Sequence, residues 1–348
     1  MNANVLLRGC DCAIITSPAA LFYLSGFDQT DAVIVLTNSA SYYLTNPLYE
    51  IAAKAAVGKE FVVKILSRKE IVDFLRTVIA REGSVGVEYE DMTLSRYKAL
   101  FGEGELDAKD LSPLVAKMRE KKSDNELSRI KTAEGIVDKA FESVLGLLKE
   151  GVTERQVKDA LERKMLSLGA DGMAFDTIVA FGENAAMPHA VSGARTLKKG
   201  DCVLMDFGAK YKGYCSDFTR TVCFGEPTAK FRAAYDVVLK AQRAAIDYVS
   251  SGGRNAKEAD RIARKIVDDS PFKGKFNHTL GHGVGIMIHE SPALSTLSTD
   301  TLADGMVFTI EPGVYLEGEF GIRIESLLAI ENGKLTVIDR SDKEIYIV

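Results

Sequence analysis

No stretch of this chain approaches the ~20 consecutive apolar residues that a membrane-spanning helix requires, which excludes a helical membrane protein. Nor is there an excess of positive charge. Against 44 Lys and Arg stand 49 Asp and Glu, a net charge of -5, and both signs are scattered as on a solvated surface. Nothing electrostatic therefore points to nucleic acid or an anionic membrane as a partner. Cysteines are few and odd in number. The five, Cys10, Cys12, Cys202, Cys215 and Cys223, lack the spacing of a disulfide framework and suit a reducing compartment. Cys10 and Cys12 form a C-x-C pair, but no second Cys or His pair lies near them, so they read as ordinary thiols. The apolar stretch between Met1 and Cys12 is broken by Arg8 and is too short for the core of a signal peptide. The expectation is a soluble, cytoplasmic protein.

What is present is the material of two ordinary domains. A chain of 348 residues is long for a single core, and 46% hydrophobic with 27% charged residues is a globular balance. In the first third, short apolar runs at 12–15, 32–36, 41–44 and 61–65 read as strands, with helical patterns at 49–56 and 69–81 between them. This predicts a small α/β domain over residues 1–120. A charged stretch from Lys117 to Asn125 then leads into a second domain over 121–348.

The second domain repeats a pattern rather than a sequence. Glu126 to Glu150 reads as a helix ended by Gly151, and Thr153 with Gln156 has the spacing of a capping box for another that stops at Gly169. Two strands follow, around Asp206 and Asp217. The order recurs about a hundred residues later: a helix from Ala229 to Ser250 ended by Gly252-Gly253, a helix capped by Asn255 and running to about Asp269, and strands around Glu311 and Glu325. Two halves of two helices and a hairpin predict an α+β domain with pseudo-twofold symmetry and helices covering a sheet.

The acids in those strands are the first sign of chemistry. An isolated carboxylate inside an apolar strand is costly unless it is paired or bound to metal. Asp206 sits in Val203-Leu204-Met205-Asp206-Phe207, and Asp217 lies eleven residues on, with Tyr211-Lys212 midway and Gly213 beside it as a plausible hairpin tip that would set the two carboxylates facing each other. Glu311 and Glu325 flank a second turn centred on Gly318. Like charges facing each other across strands are destabilising, so something positive belongs between them. Only four histidines exist, and three fall between Asn277 and Glu290 among glycines that let backbone approach a ligand: His278, His282 and His289. The fourth is His189. Four carboxylates and one imidazole make a hard, oxygen-rich donor set suited to Mn(II), Fe(II), Co(II) or Zn(II), without the thiolates of a structural zinc site. Two divalent ions balance four carboxylates.

At these residues the sequence resembles the creatinase/aminopeptidase P/methionine aminopeptidase family of metallopeptidases. The resemblance runs through Ala174 to Val179, Pro188-His189, Asp206-Phe207-Gly208, Ser216 to Arg220, His278 to Gly285, Glu311-Pro312-Gly313 and Arg323-Ile324-Glu325. It implies a pita-bread catalytic domain. Leu21 to Phe27 resembles the creatinase-type N-terminal domain, which points to the proline-specific branch, Xaa-Pro aminopeptidase or Xaa-Pro dipeptidase. The resemblance implies that Asp206 holds one metal, that Asp217 and Glu325 bridge both, and that His282 and Glu311 complete the second; manganese stands first among the candidates. A water between two such ions loses a proton easily, and the implied reaction is its attack on the carbonyl before proline. Glu311 is implied in proton transfer to the leaving nitrogen, His278 and His289 in lining the substrate and stabilising the oxyanion, His189 in the pocket wall, and Arg323 in support of the bridging glutamate.

Proline explains why a dedicated site is needed: its nitrogen carries no hydrogen and its ring fixes φ. Two positions depart from the family pattern. Ala293 follows His289-Glu290-Ser291-Pro292 where dipeptidases often carry arginine, which favours an aminopeptidase. Ser326 follows Glu325 where an acid is common. The expected partner is a peptide with proline second, acted on by a homodimer. A binding protein on the same scaffold is the competing reading, but such proteins typically lose metal ligands, and all five are here.

Overall fold

The computed structural model describes residues 3–102 and 108–348. The chain divides into two compact units, the first ending at Arg119 and the second beginning at Glu120. The first unit runs β1 (Cys12–Ile15), α1 (Pro18–Ser25), β2 (Ala32–Thr37), β3 (Ser41–Thr45), α2 (Glu50–Ala56), β4 (Val62–Ile65), α3 (Arg68–Glu82), β5 (Val85–Val87), α4 (Leu94–Phe101), β6 (Ala108–Asp110) and α5 (Ser112–Glu120). Its strands form one mixed sheet in the order β4-β3-β2-β1-β5-β6. Strand β1 is buried on both faces because it lies inside that sheet. Ala13 and Ile15 pack with Leu21 and Leu24 of α1, while Cys12 and Ile14 pack with Leu75, Val78 and Leu100 of α3 and α4. Strands β5 and β6 have three residues each, too few for alternation to reveal them in the sequence.

The second unit is built as two halves. The first holds α6 (Asp124–Leu145), α7 (Glu154–Ser167), β7 (Gly172–Met173), β8 (Ile178–Phe181), β9 (Cys202–Phe207), β10 (Ala209–Tyr211), β11 (Tyr214–Cys215) and β12 (Phe218–Cys223). The second holds α8 (Ala229–Ser250), α9 (Ala256–Asp268), β13 (Gly281–Gly283), β14 (Glu290–Leu294), β15 (Val307–Ile310), β16 (Gly313–Leu316), β17 (Phe320–Arg323), β18 (Ser326–Glu331) and β19 (Lys334–Val337). Helices α6 and α7 bury one core against β8, β9 and β12, and α8 and α9 bury another against β15 to β18. The result is the α+β arrangement of two helix pairs over strands.

Local chemistry sets the helix ends. Thr153 and Gln156 form a capping box on α7, and the Asn255 side chain caps α9 by accepting from the Glu258 N–H. Helix α6 starts earlier than the periodicity predicts, because Ser123 and Glu126 also form a capping box. It stops at Leu145 rather than running to Glu150. The N–H groups of Leu147 and Leu148 turn back to the carbonyls three residues before them, which tightens and ends the ladder.

Strand β9 divides its side chains by parity. Val203, Met205 and Phe207 face the first core, and Cys202 and Leu204 face the second. Asp206 shares the face of Cys202 and Leu204, so the strand aims it inward between the two halves of this unit.

Candidate metal centre

The two acid-bearing hairpins differ in register. In the first, Lys212 and Gly213, with φ of +47° and +82°, make the two-residue turn, and Tyr211 pairs with Tyr214. The partner of Asp206 is therefore Thr219, not Asp217. The tip lies later than the midpoint between the aspartates, which the sequence spacing placed at Tyr211-Lys212. Asp217 stands two residues before Thr219 on the same face, diagonal to Asp206 rather than opposed to it. A diagonal pair of like charges repels less than a direct one.

In the second hairpin one register runs throughout, from Ile310↔Ser326 to Gly313↔Arg323. Glu311 and Glu325 fall opposite each other in the gap between β15–β18 and β16–β17, as the midpoint at Gly318 predicts. Pro312 has no N–H for the ladder, which explains the gap. The two glutamates turn their own N–H groups elsewhere, Glu311 to the Leu280 carbonyl at 2.8 Å and Glu325 to the Thr219 carbonyl at 3.2 Å. The second of these bonds joins the halves at the site.

Side chains from both halves meet there. Ligand oxygens of Asp206, Asp217 and Glu325 all lie within 4.8 Å of one another. His282 Nε2 lies 3.4 Å from Asp217 Oδ2 and 3.2 Å from Glu311 Oε1, which links the remaining two predicted residues to the three. His282 Nδ1 is 3.1 Å from the Gly283 carbonyl. A carbonyl only accepts, so Nδ1 carries a proton; Nε2 faces the acids, donating to Glu311 when protonated and free to give its lone pair to a metal when not. Arg323 lies among them, donating to Asp206, to Tyr315 Oη at 2.7 Å and to Thr219 Oγ1 at 3.2 Å. Thr219 in turn donates to Glu325 Oε2 at 2.8 Å.

Burial sets the charge state of this cluster. It pushes Asp217 and Glu325 well above the usual carboxylate range, reinforced by their acidic neighbours. Asp206 is raised by burial as well, with Arg323 opposing. Burial raises Glu311 too, but the bond to His282 and the His282 charge outweigh it and hold Glu311 down at about 2, while His282 moves up because its bond to Glu311 overcomes burial. Glu325 Oε1 is buried with no hydrogen-bond partner among the described residues. A stranded carboxylate oxygen beside other acids is expensive without a cation. The donor set, four carboxylates and one imidazole lone pair, fits divalent metal.

A cavity of about 630 Å³ opens over Asp206, Asp217 and Glu311. His189, His278 and His289 all line it, as does Arg323. The histidines differ in freedom. His278 holds Thr279 O with Nδ1 at 2.8 Å and Tyr315 Oη with Nε2 at 3.0 Å, and burial lowers it to about 4, so it is a neutral, fully engaged ring. His289 is exposed, stacks edge-on with His282 at a centroid distance of 4.3 Å, and has no hydrogen bond among the described residues. His189 is exposed too.

The sequence reading missed three hydroxyls that hold this cluster: Thr219, Tyr315 and Thr309, whose Oγ1 donates to Glu311 Oε1 at 3.1 Å. Strand parity could have found two of them, since Thr219 and Thr309 lie two residues from Asp217 and Glu311 on the same faces. Tyr315 reaches Arg323 and His278 through the fold alone.

Comparison with known proteins bears directly on this arrangement. Residues 128–332 match the model of metallopeptidase family M24, and residues 7–121 match the creatinase/prolidase N-terminal domain. An uncharacterised peptidase of Staphylococcus saprophyticus is 38% identical over 330 residues, 93% of each chain. Among solved structures, a Xaa-Pro dipeptidase from Bacillus anthracis matches with a TM-score of 0.91 and 35% identity over 99% of this chain and 98% of that one. An X-Pro aminopeptidase from Thermotoga maritima matches with a TM-score of 0.88 and 32% identity over 98% of each chain.

Proposed function

The chain belongs to metallopeptidase family M24, and from that premise we propose that it hydrolyses the peptide bond before a proline in second position, as an Xaa-Pro aminopeptidase. It is a hydrolase with a creatinase-type N-terminal domain and a pita-bread catalytic domain. The proposal assigns the chemistry to residues 121–348. The observation that carries it is the approach of Asp206, Asp217 and Glu325 to within 4.8 Å, with one Glu325 oxygen left unsatisfied.

In this reading Asp206 would hold one divalent cation, His282 with Glu311 would hold a second, and Asp217 and Glu325 would contribute to both. When bound, such ions, manganese first and cobalt, zinc or iron otherwise, would supply a water ionised at neutral pH and polarisation of the scissile carbonyl. In this reading Glu311 would take the proton that the water loses and pass it to the leaving proline nitrogen. His289, with no hydrogen bond among the described residues, is better placed than His278 to donate to the developing oxyanion. His278 shapes the wall and, through Tyr315, steadies Arg323. Arg323 in turn orients Asp206, and His189 lines the cavity. A homodimer, which the family resemblance implies, and a cytoplasmic location, which the cysteine usage suits, are part of the same proposal.

Xaa-Pro dipeptidase is the second reading, favoured by the similarity to the Bacillus anthracis enzyme. Ala293, where an arginine would suit a strict dipeptidase, favours the first. Elemental analysis and hydrolysis of Ala-Pro against Ala-Pro-Ala test both. Bound divalent metal and release of alanine from the tripeptide are expected; cleavage of the dipeptide alone would select the second reading, and a protein that binds no metal would end both.

A further inference from the structure

Two of the histidines that line the cavity, His278 and His289, are held in opposite ways. The ring of His278 is engaged at both nitrogens, and its backbone is clamped as well. Arg264 donates to the Phe276 carbonyl at 2.7 Å and to the His278 carbonyl at 2.8 Å, and Asp260 accepts from the Leu280 N–H at 3.1 Å. The ring of His289 has no hydrogen bond among the described residues. Its place is set by the edge-on contact with His282 and by the loop that carries it.

That loop runs from Val284 to His289 between β13 and β14, and closes where Gly283 pairs with Glu290. Glu290 follows His289 directly and turns inward, with its side chain only 3% exposed. Its Oε1 accepts from the Met287 N–H at 3.0 Å, inside the loop. Its Oε2 lies 3.4 Å from the Lys122 ammonium, whose side chain is 1% exposed. Lys122 is fixed from behind. Its N–H donates to the Gly305 carbonyl at 2.7 Å, its ammonium also donates to the Glu120 carbonyl at 3.3 Å, and the capping box of α6 starts at the next residue, Ser123. Gly285 makes room for the pair: a Cβ there would stand 2.4 Å from Glu290 Oε2 and 3.0 Å from Lys122 Cε. The loop backbone therefore lies directly on the two charges. Apolar side chains of the same volume would stabilise a buried site as well as an ion pair does, so stability alone does not account for it.

We infer that the Lys122–Glu290 ion pair positions His289, fixing the loop so that the imidazole stands beside His282 in the orientation an oxyanion donor needs. The inference rests on the proposed hydrolysis before proline, in which His289 makes that donation. Such a donor contributes when it is aimed before the reaction begins, and a ring with no hydrogen bond of its own is aimed by the backbone on which it is mounted. Lys122 and Glu290 touch no reacting group and act through His289.

The test uses the full chain as wild type and as K122M, E290Q and the double variant K122M/E290Q, each also combined with H289A. With manganese bound and Ala-Pro-Ala as substrate, K122M and E290Q should each lower kcat about 10–100-fold, with KM and metal content little changed. Added to H289A, each should change kcat by no more than about twofold, because the group through which it acts is already gone. A second readout needs no turnover. The chain has four histidines, so the imidazole NMR spectrum of the metal-free protein holds four ring systems, and H289A identifies one of them. K122M and E290Q should shift, broaden or split the His289 signal and leave that of His278 in place. The double variant removes both charges, so no lone charge is left buried to unfold the protein, and it should show the same change at His289. A His289 signal that is unaltered in these variants, or a loss of kcat that multiplies in full with that of H289A, overturns the inference and leaves the peptidase reading standing. No turnover of Ala-Pro or Ala-Pro-Ala by the metal-loaded wild type overturns the peptidase reading instead, and the His289 signal then decides by itself whether the pair positions the ring.

Discussion

The two hairpins of the second unit solve the same electrostatic problem differently. Each must carry two carboxylates in buried, apolar strands. The first shifts its turn so that Asp206 and Asp217 lie diagonally, with Thr219 in the directly opposed position. The second keeps Glu311 and Glu325 opposed, but opens the ladder around Pro312 so that their backbone groups bond outside the hairpin. A register offset in one and a chain break in the other both lower the repulsion, and neither removes it. The lesson is that the halves share a plan and not a geometry, and that a divalent cation would complete both.

If both hairpins serve one centre, removing a carboxylate from either should be equally damaging. D217N and E325Q are each expected to lower turnover about a thousandfold or more, several kcal/mol of lost stabilisation, and to release metal from a folded protein. Steady-state kinetics with elemental analysis checks this, and retention of metal and activity by either variant would show that its hairpin stands outside the centre. The next effect falls on the support rather than the ligands. R323Q leaves Asp206 buried without its partner, which should cost about 3–5 kcal/mol in denaturant unfolding and lower metal affinity about 10–100-fold.

A third prediction separates the paired Glu311 from the three raised acids. Asp206, Asp217 and Glu325 have folded values above their unfolded ones, so the stability tied to their protonation is complete below the ordinary carboxylate range, near pH 4, and is lost as pH rises through the raised values. Glu311 has the opposite sign: its contribution is present above that range and lost only as pH falls toward about 2. The melting temperature of chelator-treated protein should therefore drop as pH is raised from about 4. Metal should restore more at pH 8 than at pH 5, because ligands must lose protons to bind. A flat profile with and without metal would remove the raised acids from the account. The smallest effect should come from the tips. G213A and G318A, at φ of +82° and +72°, should each cost about 1–2 kcal/mol in stability while leaving metal content unchanged, because both turns lie away from the ligands.

Much of this was legible in the chain, and the failures have physical reasons. The capping residues Thr153 and Asn255 act through neighbours three positions on, so they could be read locally. The acids stood out because a carboxylate in an apolar strand needs an explanation, and the histidines because so few are present. The tip of the first hairpin was misplaced because Lys212, a residue with a Cβ, adopts a left-handed conformation that composition does not announce. Helix α6 ended early through carbonyl bonds that no periodicity records. Of the three wall histidines, the sequence could not say which was already engaged: His278 is held by Tyr315, 37 positions away.

By itself the sequence determined which chemistry was possible, since four carboxylates and an imidazole in strand and glycine-rich contexts admit few uses besides metal binding. It also determined the repeated helix–helix–hairpin plan, because amphipathic period and caps are properties of short segments. Only the tertiary structure decided which acid stands opposite which, which nitrogen of His282 faces the cluster, and that His189 lines one cavity with His278 and His289, about ninety and a hundred positions away. Those outcomes depend on register, on hydrogen bonds between strands far apart in sequence, and on how two cores orient their shared strands. None of them is encoded within the reach of a single turn or strand.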